Sequence, residues 1–92
     1  MEKKVKIPEK VSAYVEKLFF EYNASLSVVR YLMSQDDVKD EYIQRYLKQC
    51  EEKHIELEFA KKEVTEEYAP IGFDKYNYNF DFRDYTITYT GA

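Results

Sequence analysis

The sequence PIGFDKYNYNFDFRDYTITYT, residues 70–90, decides the fold because its hydrophobic period differs from that of the chain before it. From residue 76 onward, aromatic and polar residues alternate, which is typical of strands. Through about sixty residues before Pro70, apolar residues recur every three to four positions, which is typical of amphipathic helices. The chain is therefore predicted to be mostly α, in the α+β class: a long antiparallel helical hairpin followed by a short, aromatic-rich β tail.

Two helices are predicted, over residues 8–34 and 37–69. Pro8 suits a first helical turn, where its missing N–H costs nothing. An Asp in the turn after Ser34 can cap the second helix, and Pro70 with Gly72 ends it. Because the connection is short, the helices are expected to be antiparallel neighbours. The first helix carries a stripe with steps of four and three residues, made of Val11, Val15, Leu18, Tyr22, Ser25, Val29 and Leu32.

The first helix also has a second apolar flank that a two-helix seam cannot bury. It consists of Phe19, Phe20, Leu26, Val28, Tyr31 and Met33. Either the chain's own tail or another copy of the hairpin is expected to cover this flank, the latter completing a four-helix bundle.

The tail, residues 73–90, is predicted to be a β hairpin, because the parity of its alternation shifts at Arg83-Asp84. A lone two-stranded ribbon is marginal in water, so its aromatic face must pack on the helices or on another molecule. In the second case the tail adds a strand to a partner's sheet or exchanges between copies. The candidate partner-binding residues are Tyr76, Tyr78, Phe80, Phe82, Tyr85, Ile87 and Tyr89.

Length and composition narrow the class of protein. The 92 residues are expected to form a single domain, 1–92, and the net charge of −4 argues against a nucleic-acid partner. Cys50 is the single cysteine, which excludes a disulfide framework within one chain. No apolar run has the length of a signal peptide core or a membrane span. A cytoplasmic protein without a membrane partner is therefore expected.

Chemical motifs are few. The chain lacks a glycine-rich phosphate loop and the common hydrolase and zinc-protease motifs. The one cluster with chemical content is Glu51 with His54, three residues apart on the second predicted helix, together with Glu21 inside an apolar stretch of the first. Di-iron carboxylate bundles take a Glu from each of two helices and a Glu-x-x-His from each of two others. One hairpin supplies half of that set, and a symmetric dimer supplies all of it.

On these three residues, and on the run Glu51-Glu52-Lys53-His54, the chain resembles the ferritin-like superfamily, specifically the encapsulated ferritins. Their protomer is a helical hairpin that dimerises to build its iron site. The resemblance covers the two helices and not the tail. It implies ferroxidase activity, with iron bound by Glu21, Glu51 and His54 across a dimer interface.

Two functions follow as hypotheses. The first is a small, non-catalytic interaction or assembly protein without a cofactor, which associates with itself or with a larger protein assembly through the first helix and the aromatic tail. The alternative is the ferritin-like iron-binding ferroxidase. They differ in what they require of Glu51 and His54, which an assembly protein tolerates as alanine and a ferroxidase does not.

Overall fold

The computed structural model describes residues 1–91, with the elements β1 (Glu2–Lys6), α1 (Glu9–Met33), α2 (Asp40–Tyr68), β2 (Tyr76–Asp81) and β3 (Thr86–Gly91). The predicted fold class, a helical hairpin followed by a β tail, is confirmed. The predicted helix bounds, 8–34 and 37–69, lie within three residues of those observed. Gly72, with a φ of 92°, stands in the turn after α2, where its left-handed backbone favours glycine.

The expectation of a two-stranded ribbon was wrong by one strand. Residues 2–6 form β1, which pairs antiparallel with β3, so the sheet has three strands in the order β1-β3-β2. β3 is therefore the central strand, with neighbours from both ends of the chain. The local signal for β1 is short, since only Val5 and Ile7 alternate with lysines. A lone strand of this kind forms because β3 offers it hydrogen bonds and a buried face.

The chain divides into two compact units. The sheet unit comprises Met1–Glu16 and the chain from Ala60 onward, and so contains the three strands, the start of α1 and the end of α2. The hairpin unit is Lys17–Phe59, which contains the rest of both helices and their connection.

The register of the sheet explains the parity shift in the sequence. Phe80 faces Ile87, and Tyr78 faces Tyr89, so even-numbered residues of β2 share a face with odd-numbered residues of β3. The four-residue turn Phe82–Tyr85 between the strands makes this change of parity. The Oδ1 atom of Asp81 accepts hydrogen bonds from the backbone N–H groups of Arg83 (2.9 Å) and Asp84 (3.1 Å). These bonds, the one from Asp84 first, lower the pKa of the Asp81 carboxyl.

The core of the sheet unit lies between the sheet and the helix segments of that unit. Ile87 and Tyr89 are fully buried on β3. Helix residues buried with them include Ser12, Val15, Ala60, Val64 and Thr65. The Tyr89 hydroxyl donates a 2.7 Å hydrogen bond to the backbone carbonyl of Thr65. The tail therefore packs on the helices of its own chain, which is one of the two alternatives predicted from the sequence.

The hairpin unit has a narrower core along the seam between its two helix segments. Leu18, Val29, Cys50 and Leu57 are buried there, and Leu18 and Val29 belong to the stripe predicted for the first helix. Two helix segments bury one stripe each, which leaves other apolar residues of the unit, including Phe20, Val28 and Tyr31, exposed.

Candidate interaction surfaces

The outer side of α1 in the hairpin unit carries a row of exposed apolar residues, Phe20, Ala24, Val28 and Tyr31, which we name the α1 stripe. Phe20 is 62% exposed and Tyr31 is 65% exposed. The spacing of four, four and three residues places the row on one side of the helix. At about 100° per residue, the buried residues Leu18 and Val29 point roughly 160° away from Phe20. The stripe is therefore an additional apolar face and not the margin of the core.

A groove continues the α1 stripe towards the helix connection. A cavity of about 200 Å³ is lined by Ala24, Val28 and Tyr46, among others. A second one, of about 440 Å³, has Leu32, Val38, Tyr42 and Tyr46 in its lining. Tyr46 belongs to both linings, which also contain Ser25, Gln49, Asp37 and Lys39, so Ala24 and Val28 of the stripe border a partly polar groove. Between Phe19 and Met33, α1 carries only two charged residues, Glu21 and Arg30.

The outer side of α2 differs from this surface in charge. Ile55 and Phe59 are 68% and 61% exposed, one helical turn apart. They stand in the stretch Glu51–Glu67, which holds seven glutamates and three lysines. An apolar pair within a charged segment is a common surface feature, whereas the α1 stripe is long and nearly uncharged.

Glu21, the first of the predicted metal ligands, is held by a lysine. Its Oε2 lies 3.1 Å from Lys53 Nζ, and its Oε1 lies 4.0 Å from Lys17 Nζ. The hydrogen bond from Lys53 to Glu21, with the attraction between their charges, raises the pKa of the Lys53 ammonium. Glu21 and Lys53 therefore form a partly buried ion pair in this chain.

The other two predicted ligands lie on one cavity. Glu51 and His54 line a space of about 290 Å³ together with Tyr22, Cys50 and Ile55. The Nε2 atom of His54 is 3.6 Å from Glu58 Oε1, and its ring centroid is 5.0 Å from that of Tyr22. Among residues 1–91, no group of three or more His, Cys, Asp or Glu side chains is arranged to hold a metal ion.

The predicted tail residues fall into two groups. Ile87 and Tyr89 are fully buried in the sheet unit, where a partner does not reach them. Tyr76, Tyr78 and Phe80 are half-buried along β2 and form a row of edge-to-face rings, and Phe82 stacks on Phe80 at 5.8 Å. Tyr85 is half-buried in the turn at a φ of 56°. The negative charge of Glu9 near Tyr85, with their hydrogen bond, raises the pKa of the Tyr85 hydroxyl.

Comparison with known proteins adds no relative: no family model, no curated protein and no solved structure matches the chain. Within the described residues, neither helix has the length and apolar character needed to cross a bilayer.

Proposed function

We propose that this protein is a non-catalytic assembly module that associates with a second copy of itself through the α1 stripe. The observation that carries the proposal is the exposure of Phe20 and Tyr31, both above 60%, on the side of α1 opposite the buried seam. Large aromatic residues in a row at helical spacing contribute contact area at a small entropic cost, and such rows mark protein interfaces. Two hairpin units joined in this way bring four helix segments together.

A second copy is the occupant that the composition of the stripe favours. The stripe is nearly uncharged, so it repels no identical surface and attracts no strongly charged partner. Two small residues, Ala24 of the stripe and the neighbouring Ser27, lie between the two large aromatics of the stripe. In an antiparallel, two-fold arrangement, Phe20 of one copy meets Tyr31 of the other, twice, and Ala24 faces Ser27 where the helices approach most closely.

The test compares the α1 stripe with an equally exposed aromatic elsewhere. The double variant Phe20→Lys/Tyr31→Lys is expected to raise the dissociation constant of this interface by about 30-fold or more, the size of an interface hot spot. Phe59→Lys is the matched control, because Phe59 is 61% exposed on α2 and Phe20 is 62% exposed on α1. Sedimentation velocity over a concentration series provides the measurement. A wild-type monomer, or a double variant that associates like the wild type, would contradict the proposal.

The ferritin-like ferroxidase is the second candidate, supported by the shared cavity of Glu51 and His54. Within one chain, Glu21, Glu51 and His54 fit an iron site only in part, because the carboxylate of Glu21 is paired with Lys53. A second copy is needed to complete a di-iron ligand set.

Native mass spectrometry after anaerobic loading with ferrous iron separates the two candidates. The ferroxidase requires two irons per dimer, which are lost in His54→Ala and retained in the neighbouring control Glu52→Ala. The assembly module instead keeps its oligomer mass in His54→Ala and takes up no stoichiometric iron, which is the result that we expect.

A further inference from the structure

β2 has one side that is hydrogen-bonded and one that is open. The N–H of Ile7 donates to the carbonyl of Tyr85, and the N–H of Gly91 donates to the carbonyl of Met1. The odd-numbered residues of β3 therefore bond to β1, and its even-numbered residues bond to β2, because the bonding direction alternates along a strand. The partners of those even residues are Asn77, Asn79 and Asp81. It follows that the backbone groups of Tyr76, Tyr78 and Phe80 point away from the sheet.

The two edges of the sheet differ in how they are protected. β1, one edge, carries Lys3, Lys4 and Lys6 in a strand of five residues. Lysines on an edge strand keep other strands from pairing with it. β2, the other edge, has no charged residue from Tyr76 to Phe80, where its sequence is Tyr-Asn-Tyr-Asn-Phe. Only the β2 edge therefore has the character of a pairing site.

We propose that β2 pairs antiparallel with β2 of a second copy about a two-fold axis, which joins two sheets into one of six strands. The occupant is a second copy because the segment is complementary to itself. With Tyr78 opposite Tyr78, the outward backbone groups of the two residues exchange both hydrogen bonds. Tyr76 then faces Phe80, and Asn77 faces Asn79, so rings meet rings on one face and amides meet amides on the other.

The exposed part of the aromatic row supports this pairing. Tyr76, Tyr78 and Phe80 share the inner face of the sheet with the fully buried Ile87 and Tyr89 but are only half-buried themselves. They lie at the edge, where the next strand is missing on one side. A second row of rings on that side extends the existing edge-to-face contacts, which are worth about 0.5–1.5 kcal/mol per pair in general.

The same asymmetry limits the assembly through strands. After β2 pairs with β2, both remaining edges of the six-stranded sheet are β1 strands. Pairing of β1 with β1 places lysines opposite lysines, which is destabilising. The sheet therefore ends at six strands instead of growing into a fibre, as expected for a two-fold interface that closes.

This inference does not rest on the proposed function, since β2 and the α1 stripe are different surfaces in different units. The test is made in the Phe20→Lys/Tyr31→Lys background, so that the strand interface is measured alone. Tyr78→Pro removes an outward N–H of β2 and is expected to abolish dimers in sedimentation. Lys4→Pro, the matched control, removes an outward N–H of β1 and is expected to leave the dimer intact. Tyr78→Thr keeps the N–H and is expected to dimerise more weakly than the parent.

Hydrogen exchange provides a measurement that does not depend on the folding of any proline variant. The amides of Tyr76, Tyr78 and Phe80 are expected to become protected as the protein concentration rises, while the amide of Lys4 exchanges at a constant rate. Unchanged exchange at Tyr78 across the concentration range, or dimers that survive in a folded Tyr78→Pro variant, would overturn the proposal. An α1 stripe variant whose oligomer size and dissociation constants equal those of the wild type would overturn only the proposed function, because dimers held by β2 are expected to persist in that variant.

Discussion

Replacement of Tyr89 by alanine is expected to bring the protein to the limit of its stability. Tyr89 is fully buried on the central strand, and its ring contacts those of Phe73 and Tyr76. Truncation of a buried aromatic residue costs about 3–5 kcal/mol, whereas whole domains are stable by about 5–15 kcal/mol. Urea unfolding followed by circular dichroism measures the loss. A change below about 1 kcal/mol would mean that the sheet unit is not packed around Tyr89.

The hydroxyl of Tyr89 has a separate role, which Tyr89→Phe isolates. Thr65 is among the last four residues of α2, whose carbonyls have no partner within the helix. The Tyr89 hydroxyl satisfies the Thr65 carbonyl and so caps the helix end from the sheet. Removal of the hydroxyl leaves the buried Thr65 carbonyl without its hydrogen bond, which is expected to lower the free energy of unfolding by about 1–3 kcal/mol. Tyr85→Phe is the matched control, because Tyr85 lies in the hairpin turn and has its own hydroxyl contact at the surface.

Tyr89 also sets an alkaline limit to stability. Burial raises the pKa of Tyr89 from 10.0 to about 12. Below pH 10 the hydroxyl is protonated in both the folded and the unfolded chain, so it causes no pH dependence. Between pH 10 and about 12 the unfolded chain loses the proton while the folded chain keeps it, and the free energy of unfolding falls as the pH rises. Tyr89→Phe is expected to flatten this part of the curve.

Replacement of Val5 by proline is expected to detach β1 from the sheet. Val5 lies opposite Ile87 and, like Ile7, directs its N–H towards β3. Proline removes that donor and leaves the paired carbonyl of the fully buried Ile87 without its hydrogen bond. We expect the free energy of unfolding to fall by roughly 3 kcal/mol, because a buried acceptor loses its hydrogen bond and the packing of β1 on Ile87 is lost as well.

Lys4→Pro is again the control, since the Lys4 N–H points away from β3 and its loss is expected to cost little. Urea midpoints and the exchange rates of amides in β3 measure both variants. Equal effects of the two prolines would contradict the observed register. A small effect of Val5→Pro alone would show that β1 contributes little to the fold.

The candidate surfaces were predictable to different degrees. The apolar flank of the first helix was recognised in the sequence because Phe20, Val28 and Tyr31 do not fit a single core stripe. That Phe20 and Tyr31 lie opposite the seam, while Val28 borders a groove with Tyr46, depends on which residues α2 covers. The pairing of Glu21 with Lys53, 32 residues away, is a tertiary contact that helical spacing does not reveal. The free edge of β2 could not be identified before β1 was known, because β1 determines that β3 is central.

What the sequence determined by itself is the local structure: two helices, their turn, and two tail strands with a change of parity between them. These elements follow from periodicity and from Pro70 and Gly72, which act over a few residues. Only the tertiary structure decided that residues 2–6 form a strand, that Ile87 and Tyr89 are core while Tyr76, Tyr78 and Phe80 lie at an edge, and that Tyr89 caps α2. The physical reason is that burial and strand pairing depend on partners far apart in the chain, whereas periodicity records only that a residue has an apolar side to cover.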